Sequence, residues 1–173
     1  KREDTECQKT CPPGKRHAER AMEAWKAGKN VIGEKPLTNT LAEAREILKV
    51  AKKSNKKTLT AYNYRRVPAI ALAKQLIKEG KIGKIYHWRA VYLQDWIMDP
   101  NFPLVWRLKK SEAGSGPHGD LNAHITDLAM HLVGEIDSVV GMTETFIKER
   151  PLAEAVDASL GAKGGETGRG RGG

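Results

Sequence analysis

The sequence predicts an α/β fold: a small parallel sheet covered by helices, followed by a second unit that mixes helix and strand. Two observations carry this. From His17 to Tyr62, helical runs with one apolar face alternate with short β-branched runs across short connections, the rhythm of strands joined by crossover helices. Pro68 then opens another helical run, and the stretches 84–94 and 138–147 read as strands.

Residues 1–10 are polar and unpatterned and read as a frayed or non-native start. Cys11-Pro12-Pro13-Gly14 is a turn, because proline sits poorly inside helix or strand. A helix follows from His17 to Ala27, with Ala18, Ala21, Met22 and Trp25 on one face and Gly28 as its stop. Asn30–Ile32 is a short strand, and 33–36 a loop. Thr40 can cap the next helix, whose buried face is Leu41, Ala44, Ile47, Leu48 and Ala51. Thr58–Tyr62 is the next strand. In parallel sheets ligands bind beyond the carboxyl ends of the strands. Lys35 and the segment Tyr62-Asn63-Tyr64-Arg65-Arg66 both fall there.

In the second unit Ala69–Glu79 is a helix stopped by Gly80. Lys84–Gln94 is a long strand in which Ile85, His87, Arg89, Val91 and Leu93 alternate with Tyr86, Trp88, Ala90 and Tyr92. Residues 95–119 are rich in Pro, Gly and Trp and lack periodicity, as binding loops often do. A helix over Asp120–Val133, stopped by Gly134, and a strand over Ser138–Ile147 follow. Residues 161–173 are glycine-rich, charged and expected to be disordered. There is no internal repeat.

The helix from Asp120 carries the most informative pattern. At about 100° per residue, Asp120, His124, Asp127 and His131 share one narrow arc. Leu121, Ile125, Leu128 and Leu132 form a separate apolar stripe for packing. Three readings compete for the polar stripe: a solvated face with local Asp–His pairs, a metal site, or acid–base chemistry with a histidine moving a proton. His-Glu-x-x-His is absent and no outside ligand cluster is evident, so no metal is expected.

At 173 residues with 39% apolar and 29% charged content, the chain suits one domain or two small lobes. No run is long and apolar enough to span a membrane, and no signal pattern follows Lys1–Lys9; a cytoplasmic protein is expected. Cys7 and Cys11 form a poor zinc signature and read as reduced thiols. The net charge of +9 invites a nucleic-acid partner. The lysines at 49–57 and 74–84 instead gather at helix ends, where they suit the macrodipole, and the single Arg-Gly-Arg-Gly-Gly tail is weak evidence. No nucleic-acid partner is expected.

Several motifs then converge. Gly33-Glu34-Lys35-Pro36-Leu37 resembles the Glu-Lys-Pro signature of the Gfo/Idh/MocA oxidoreductases. Pro12-Pro13 followed by His17 is similar to that family's Pro-x-x-x-His turn. Tyr64-Arg65 and Pro68 match its segment leaving the Rossmann domain. Trp106-Arg107 and Gly114-Ser115-Gly116 lead into Gly119-Asp120-Leu121-Asn122-Ala123-His124-Ile125-Thr126-Asp127, which resembles its Asp-x-x-x-His signature. The match covers about residues 11–150 in order and at compatible spacing.

The resemblance implies the carboxyl half of a Rossmann dinucleotide-binding domain over 11–66. An incomplete substrate and oligomerisation domain over 67–150 follows, with an open, mainly antiparallel sheet, and then a disordered tail over 151–173. It implies hydride transfer between NAD or NADP and a CH–OH carbon of a sugar or polyol, and homo-oligomers formed through the C-terminal sheet. Lys35 would contact substrate and nicotinamide; Asp120 and His124 would be the substrate-binding carboxylate and the acid/base. Arg65 would join them at the substrate. Pro12, His17, Glu34, Pro36, Trp106 and Arg107 would line the cofactor. The residue types suit that chemistry: a neutral His124 can take the hydroxyl proton, and the Lys35 ammonium can stabilise alkoxide charge. By itself Lys35 also reads as an exposed loop lysine, and Trp106 equally as a core or interface aromatic.

No Gly-x-Gly-x-x-Gly precedes His17, so the element that seats a pyrophosphate on a helix N-terminus is missing. The chain looks like the middle of such an enzyme, with impaired or absent activity. Its unpaired sheet edge and apolar helix faces predict poor stability as a monomer or rescue by a partner. The rival readings are a non-catalytic remnant or interaction module and, more weakly, a basic nucleic-acid binder.

Overall fold

The computed structural model describes residues 6–10, 17–152 and 169–171, the backbone alone for 8–10, 17 and 169–171. Three parallel strands, β1 (Cys7–Thr10), β2 (Asn30–Gly33) and β3 (Thr58–Thr60), lie side by side in chain order. Val31 sits between Gln8 and Thr58, and Gly33 between Thr10 and Thr60. Helices α1 (His17–Lys26) and α2 (Leu41–Ser54) make the two crossovers. This is a β–α–β–α–β unit, the parallel half that the rhythm predicted.

Local chemistry sets the helix ends. Gly28 takes φ +71° after α1. Its N–H reaches Trp25 O at 2.9 Å and the Lys29 N–H reaches Ala24 O at 2.9 Å, so two carbonyls of the last turn are satisfied. Thr40 caps α2 with a reciprocal box: Glu43 N donates to Thr40 Oγ1 at 3.2 Å, and Thr40 N donates to Glu43 Oε2 at 3.1 Å.

The core lies between α1, α2 and β2. Ala18, Ala21, Ala24, Trp25, Val31 and Ile47 are buried together, with Met22, Leu37, Val50 and Ala51 against them. The alanines let α1 approach the sheet closely, and the Trp25 indole N–H donates to Thr58 Oγ1 at 3.2 Å, tying α1 to β3. Of the face expected for α2 only Ile47 is fully buried. Leu41 and Leu48 stay exposed, because α2 meets α1 along one narrow seam.

The second unit begins with α3 (Pro68–Lys78), with Pro68 in its first turn. A 3-10 turn over Trp106–Leu108, α4 (Lys110–Ala113), a π-helical turn over His118–Asn122 and α5 (Ala123–Leu132) follow. β4 (Glu149–Pro151) pairs antiparallel with β5 (Arg169–Arg171). Arg150 is buried and donates to the carbonyls of Ile97, Asp99 and Phe102, which fixes the loop carrying buried Pro103, Leu104 and Val105.

Four sequence expectations change. Residues 7–10, read as an unpatterned start, form β1; their partner is β2, and no alternation of their own announces them. Residues 169–171, read as part of a disordered tail, form β5. The helix expected from Asp120 starts instead as a π turn and becomes α-helical at Ala123. The stretches 84–94 and 138–147 carry no sheet pairing among the described residues. Alternation states which side chains share a face, but a strand also needs a neighbour to accept its backbone hydrogen bonds.

Candidate functional site

β2 ends at the buried Gly33, and the chain turns through Glu34, Lys35 and Pro36 beyond its carboxyl end. β3 ends at Thr60 and leads into a 3-10 turn over Asn63–Arg66. Across from both lies the segment 118–132. Lys35 Nζ donates to Asp120 Oδ1 at 2.8 Å and also to the Asp120 carbonyl. The π turn widens the helix just where Asp120 sits, a form common at functional positions.

His124 is buried one turn further on. Its ring lies against Tyr64 at 4.4 Å between centroids, and Tyr62 meets it edge-on at 6.3 Å. Nδ1 is sealed from solvent and has no hydrogen-bond partner among the described residues. Asp120 spends its carboxylate on Lys35, so it does not aim the imidazole. Burial first, and then the Lys35 charge, hold the His124 pKa below its ordinary value, against the pull of Asp120 and Asp127. A neutral imidazole near pH 7 is the form that can accept a proton.

Lys35, Arg107, Asp120 and His124 line one open cavity of about 300 Å³ with Tyr92 and Trp96. Four of the expected site residues are therefore brought together. Trp106 stands beside them, its ring 4.3 Å from the Arg107 guanidinium carbon. Glu34 and Pro36 flank Lys35, half-buried. Pro12 lies outside the described residues; His17 opens α1, and its side chain lies outside them too.

Arg65 goes elsewhere. Its Nε donates to Asp127 Oδ2 at 2.8 Å and its Nη2 to Oδ1, and this pairing raises the guanidinium pKa. Arg65 instead borders a second cavity of about 650 Å³ along β3, with Tyr62, Arg66 and His131. His131, the last of the polar stripe, meets Lys74 of α3 at 3.1 Å through Nδ1. Burial and the Lys74 charge lower its pKa.

Sequence reasoning missed Tyr92, Gln94 and Trp96 as cavity residues. The signal was present: they continue the even-numbered face of 84–94, at a spacing of two. No group of three or more His, Cys, Asp or Glu among the described residues could hold a metal ion. No described helix is long and apolar enough to cross a membrane.

Parallel strands joined by helices, with a cavity beyond the strand ends, define an open α/β protein whose cavity lies where such sheets hold their ligands. Residues 6–62 match the family profile described as oxidoreductase family, NAD-binding Rossmann fold, and residues 70–171 that of the GFO/IDH/MocA C-terminal domain. The chain belongs to the Gfo/Idh/MocA oxidoreductase family, and the match runs past the 11–150 that the motifs marked. It is 48% identical over 155 residues to levoglucosan dehydrogenase of Pseudarthrobacter phenanthrenivorans, covering 89% of this chain and 40% of that protein. It is 36% identical to scyllo-inositol 2-dehydrogenase (NADP(+)) IolW of Bacillus subtilis, covering 86% and 39%. The solved structure of levoglucosan dehydrogenase in complex with NADH and levoglucosan superposes with a TM-score of 0.83 at 48% identity, covering 85% of this chain and 40% of that one. The chain thus spans about two fifths of the curated relatives it matches.

Proposed function

We propose that this chain carries the reacting groups of an NAD(P)-dependent dehydrogenase acting on a CH–OH carbon of a sugar or polyol. The observation that supports it best is the meeting of Lys35, Asp120 and His124 in one cavity beyond the carboxyl ends of β2 and β3. The donor set fits a nicotinamide and a hydroxylated substrate. Two cations line the cavity, and a buried imidazole with one nitrogen unpartnered among the described residues stands in its wall. Glu34, Lys35, Pro36, Trp106 and Arg107 would hold the cofactor, as would Pro12 and His17.

When bound, the nicotinamide accepts a hydride in oxidation or supplies one in reduction. His124 takes the hydroxyl proton as the C–O bond becomes a carbonyl, and returns it in the other direction. Lys35 donates to the substrate oxygen as alkoxide charge develops. Asp120 holds the Lys35 ammonium in place and accepts from a neighbouring hydroxyl. The identity to levoglucosan dehydrogenase supports an anhydrosugar as the first substrate to try, with an inositol second. A cytoplasmic setting belongs to this reading, since nicotinamide pools are held there.

A titration of this chain with NADH and NADPH, followed by tryptophan quenching and energy transfer, tests the reading. Trp96 lines the cavity and reports directly. Saturable binding that weakens in Lys35→Ala, with turnover of levoglucosan or scyllo-inositol at 340 nm, supports it. A folded sample that binds neither cofactor refutes it for this chain and favours the non-catalytic reading.

Assembly through the C-terminal sheet is a further part of the proposal. Val139, Val140, Met142 and Phe146, in the stretch 138–147 that has no sheet pairing among the described residues, are almost wholly exposed, and large apolar side chains left open in this way favour a covering partner. Light scattering that shows a monodisperse monomer sinks this part alone.

A further inference from the structure

A histidine that moves protons is ordinarily aimed by a hydrogen bond to its second ring nitrogen. His124 has no such bond at Nδ1 among the described residues. Aromatic rings surround it instead. Tyr64 stacks on it at 4.4 Å with the planes 27° apart, Tyr92 stands 6.2 Å away at 18°, and Tyr62 closes the edge at 83°. Ring contacts at such distances are attractive and directional.

The stack is itself tied down. Trp96 Nε1 donates to Gln94 Oε1 at 2.9 Å, and Gln94 Nε2 donates to the Tyr92 hydroxyl at 3.4 Å. Indole and amide nitrogens only donate, so both links have a fixed direction. The Tyr92 hydroxyl, accepting from Gln94, also shares a hydrogen bond with the Tyr64 hydroxyl, 2.6 Å away, in which either oxygen can donate. Tyr64 and Tyr92 are also parallel, 11° apart. The chain runs from the cavity wall to the ring over His124.

We propose that Tyr64 is the positioning residue of His124: held by the Tyr92–Gln94–Trp96 chain, its ring fixes the plane of the imidazole where other sites use a hydrogen-bonded carboxylate. The inference rests on His124 as the proton-transfer residue proposed above. The titratable and charged groups facing the imidazole are Lys35 beyond β2, Asp120 and Asp127 on its own segment, and Tyr62, Tyr64 and Tyr92; Arg107 lines the same cavity, and Arg65 is paired with Asp127.

Proton NMR of the full chain tests it without turnover. The His124 ring resonances are assigned by their loss in His124→Gln, and the Trp25 indole N–H, in the distant core, reports the fold. Wild type is expected to show His124 ring protons shifted upfield by the stack and a titration midpoint below the ordinary histidine value. Tyr64→Phe keeps the upfield shift in reduced form. Tyr64→Leu loses it and moves the midpoint upward, with Trp25 unchanged. Where turnover is measurable, Tyr64→Leu lowers kcat about tenfold, as expected for misplacement of a reacting group, and leaves KM within about twofold; Tyr64→Phe restores most of kcat. An unchanged His124 shift and midpoint in a folded Tyr64→Leu overturns the proposal. If Tyr64→Leu fails to fold, Tyr92→Phe decides: breaking the hydroxyl link must reduce the His124 shift, and an unaltered spectrum overturns the proposal. Wild type without turnover counts against the dehydrogenase reading and leaves the NMR result standing.

Discussion

Arg65 was expected at the substrate, and the structure gives it to Asp127. The two roles predict different things when it is replaced. Asp127 is 7% exposed and the Arg65 side chain 43%. Removing the guanidinium leaves a buried carboxylate without its two N–H donors. Breaking a fully buried pair costs about 3–5 kcal/mol. Here the arginine is nearly half in water, which screens the attraction and lets solvent replace part of it, so Arg65→Met should cost about 2 kcal/mol. For a chain of this size that lowers Tm by roughly 4–8 °C. A thermal double-mutant cycle with Arg65→Met, Asp127→Asn and the pair isolates the contact, and a coupling of about 1.5 kcal/mol is expected. A coupling under about 0.5 kcal/mol refutes the reasoning. So does an unchanged Tm with a large rise in KM, which returns Arg65 to the substrate.

Three other outcomes follow from single contacts. Thr40→Ala removes one arm of the capping box of α2 and should cost about 1 kcal/mol, read as a Tm lower by roughly 2–4 °C; Thr40→Ser should restore most of it. Arg150→Met strips donors from the carbonyls of Ile97, Asp99 and Phe102 and should cost about 2 kcal/mol or more, with faster proteolysis between 95 and 105; equal cleavage rates count against it. His124 has its pKa lowered by folding, so the unfolded chain binds the proton more readily. Its contribution is present above the ordinary histidine value and is lost as pH falls from there toward the lower folded value. His124→Gln should flatten Tm against pH in that window, and an unchanged profile contradicts the assignment.

The helices of the first unit were legible because their signals are local: a capping threonine, a glycine at positive φ, and an apolar face at helical spacing. The meeting of Lys35, Asp120 and His124 was legible for another reason. Residues past the carboxyl ends of neighbouring parallel strands share one end of the sheet, and the order of the motifs matched a known family. What failed were features that depend on a partner. β1 has no pattern of its own and exists by pairing with β2. Residues 84–94 alternate cleanly, yet no neighbour accepts their backbone among the described residues. The π turn at 118–122 alters the helical phase by a register no periodicity count can detect. Arg65 and Asp127 are far apart in sequence, and nothing local says that each is the other's counterion.

The polar stripe of 120–131 shows why the bland and the sharp readings of one helix face need not compete. Its four residues have four different partners: Asp120 takes Lys35 beyond β2, His124 takes the tyrosines, Asp127 takes Arg65 beyond β3, and His131 takes Lys74 of α3. One face therefore fastens the segment 120–131 to both strand ends and to α3, while it carries the candidate acid/base in the middle of the row. A lysine ammonium only donates, so His131 must accept through a deprotonated Nδ1, which agrees with its lowered pKa. Protonating His131 would turn that end of the row from a hydrogen bond into a repulsion between two cations. The contacts that hold the helix down are also those that set where His124 stands. A substitution at His131, which does not line the cavity of Lys35 and His124, should therefore reach the chemistry through the position of the helix, and a loss of activity there should scale with the loss of stability.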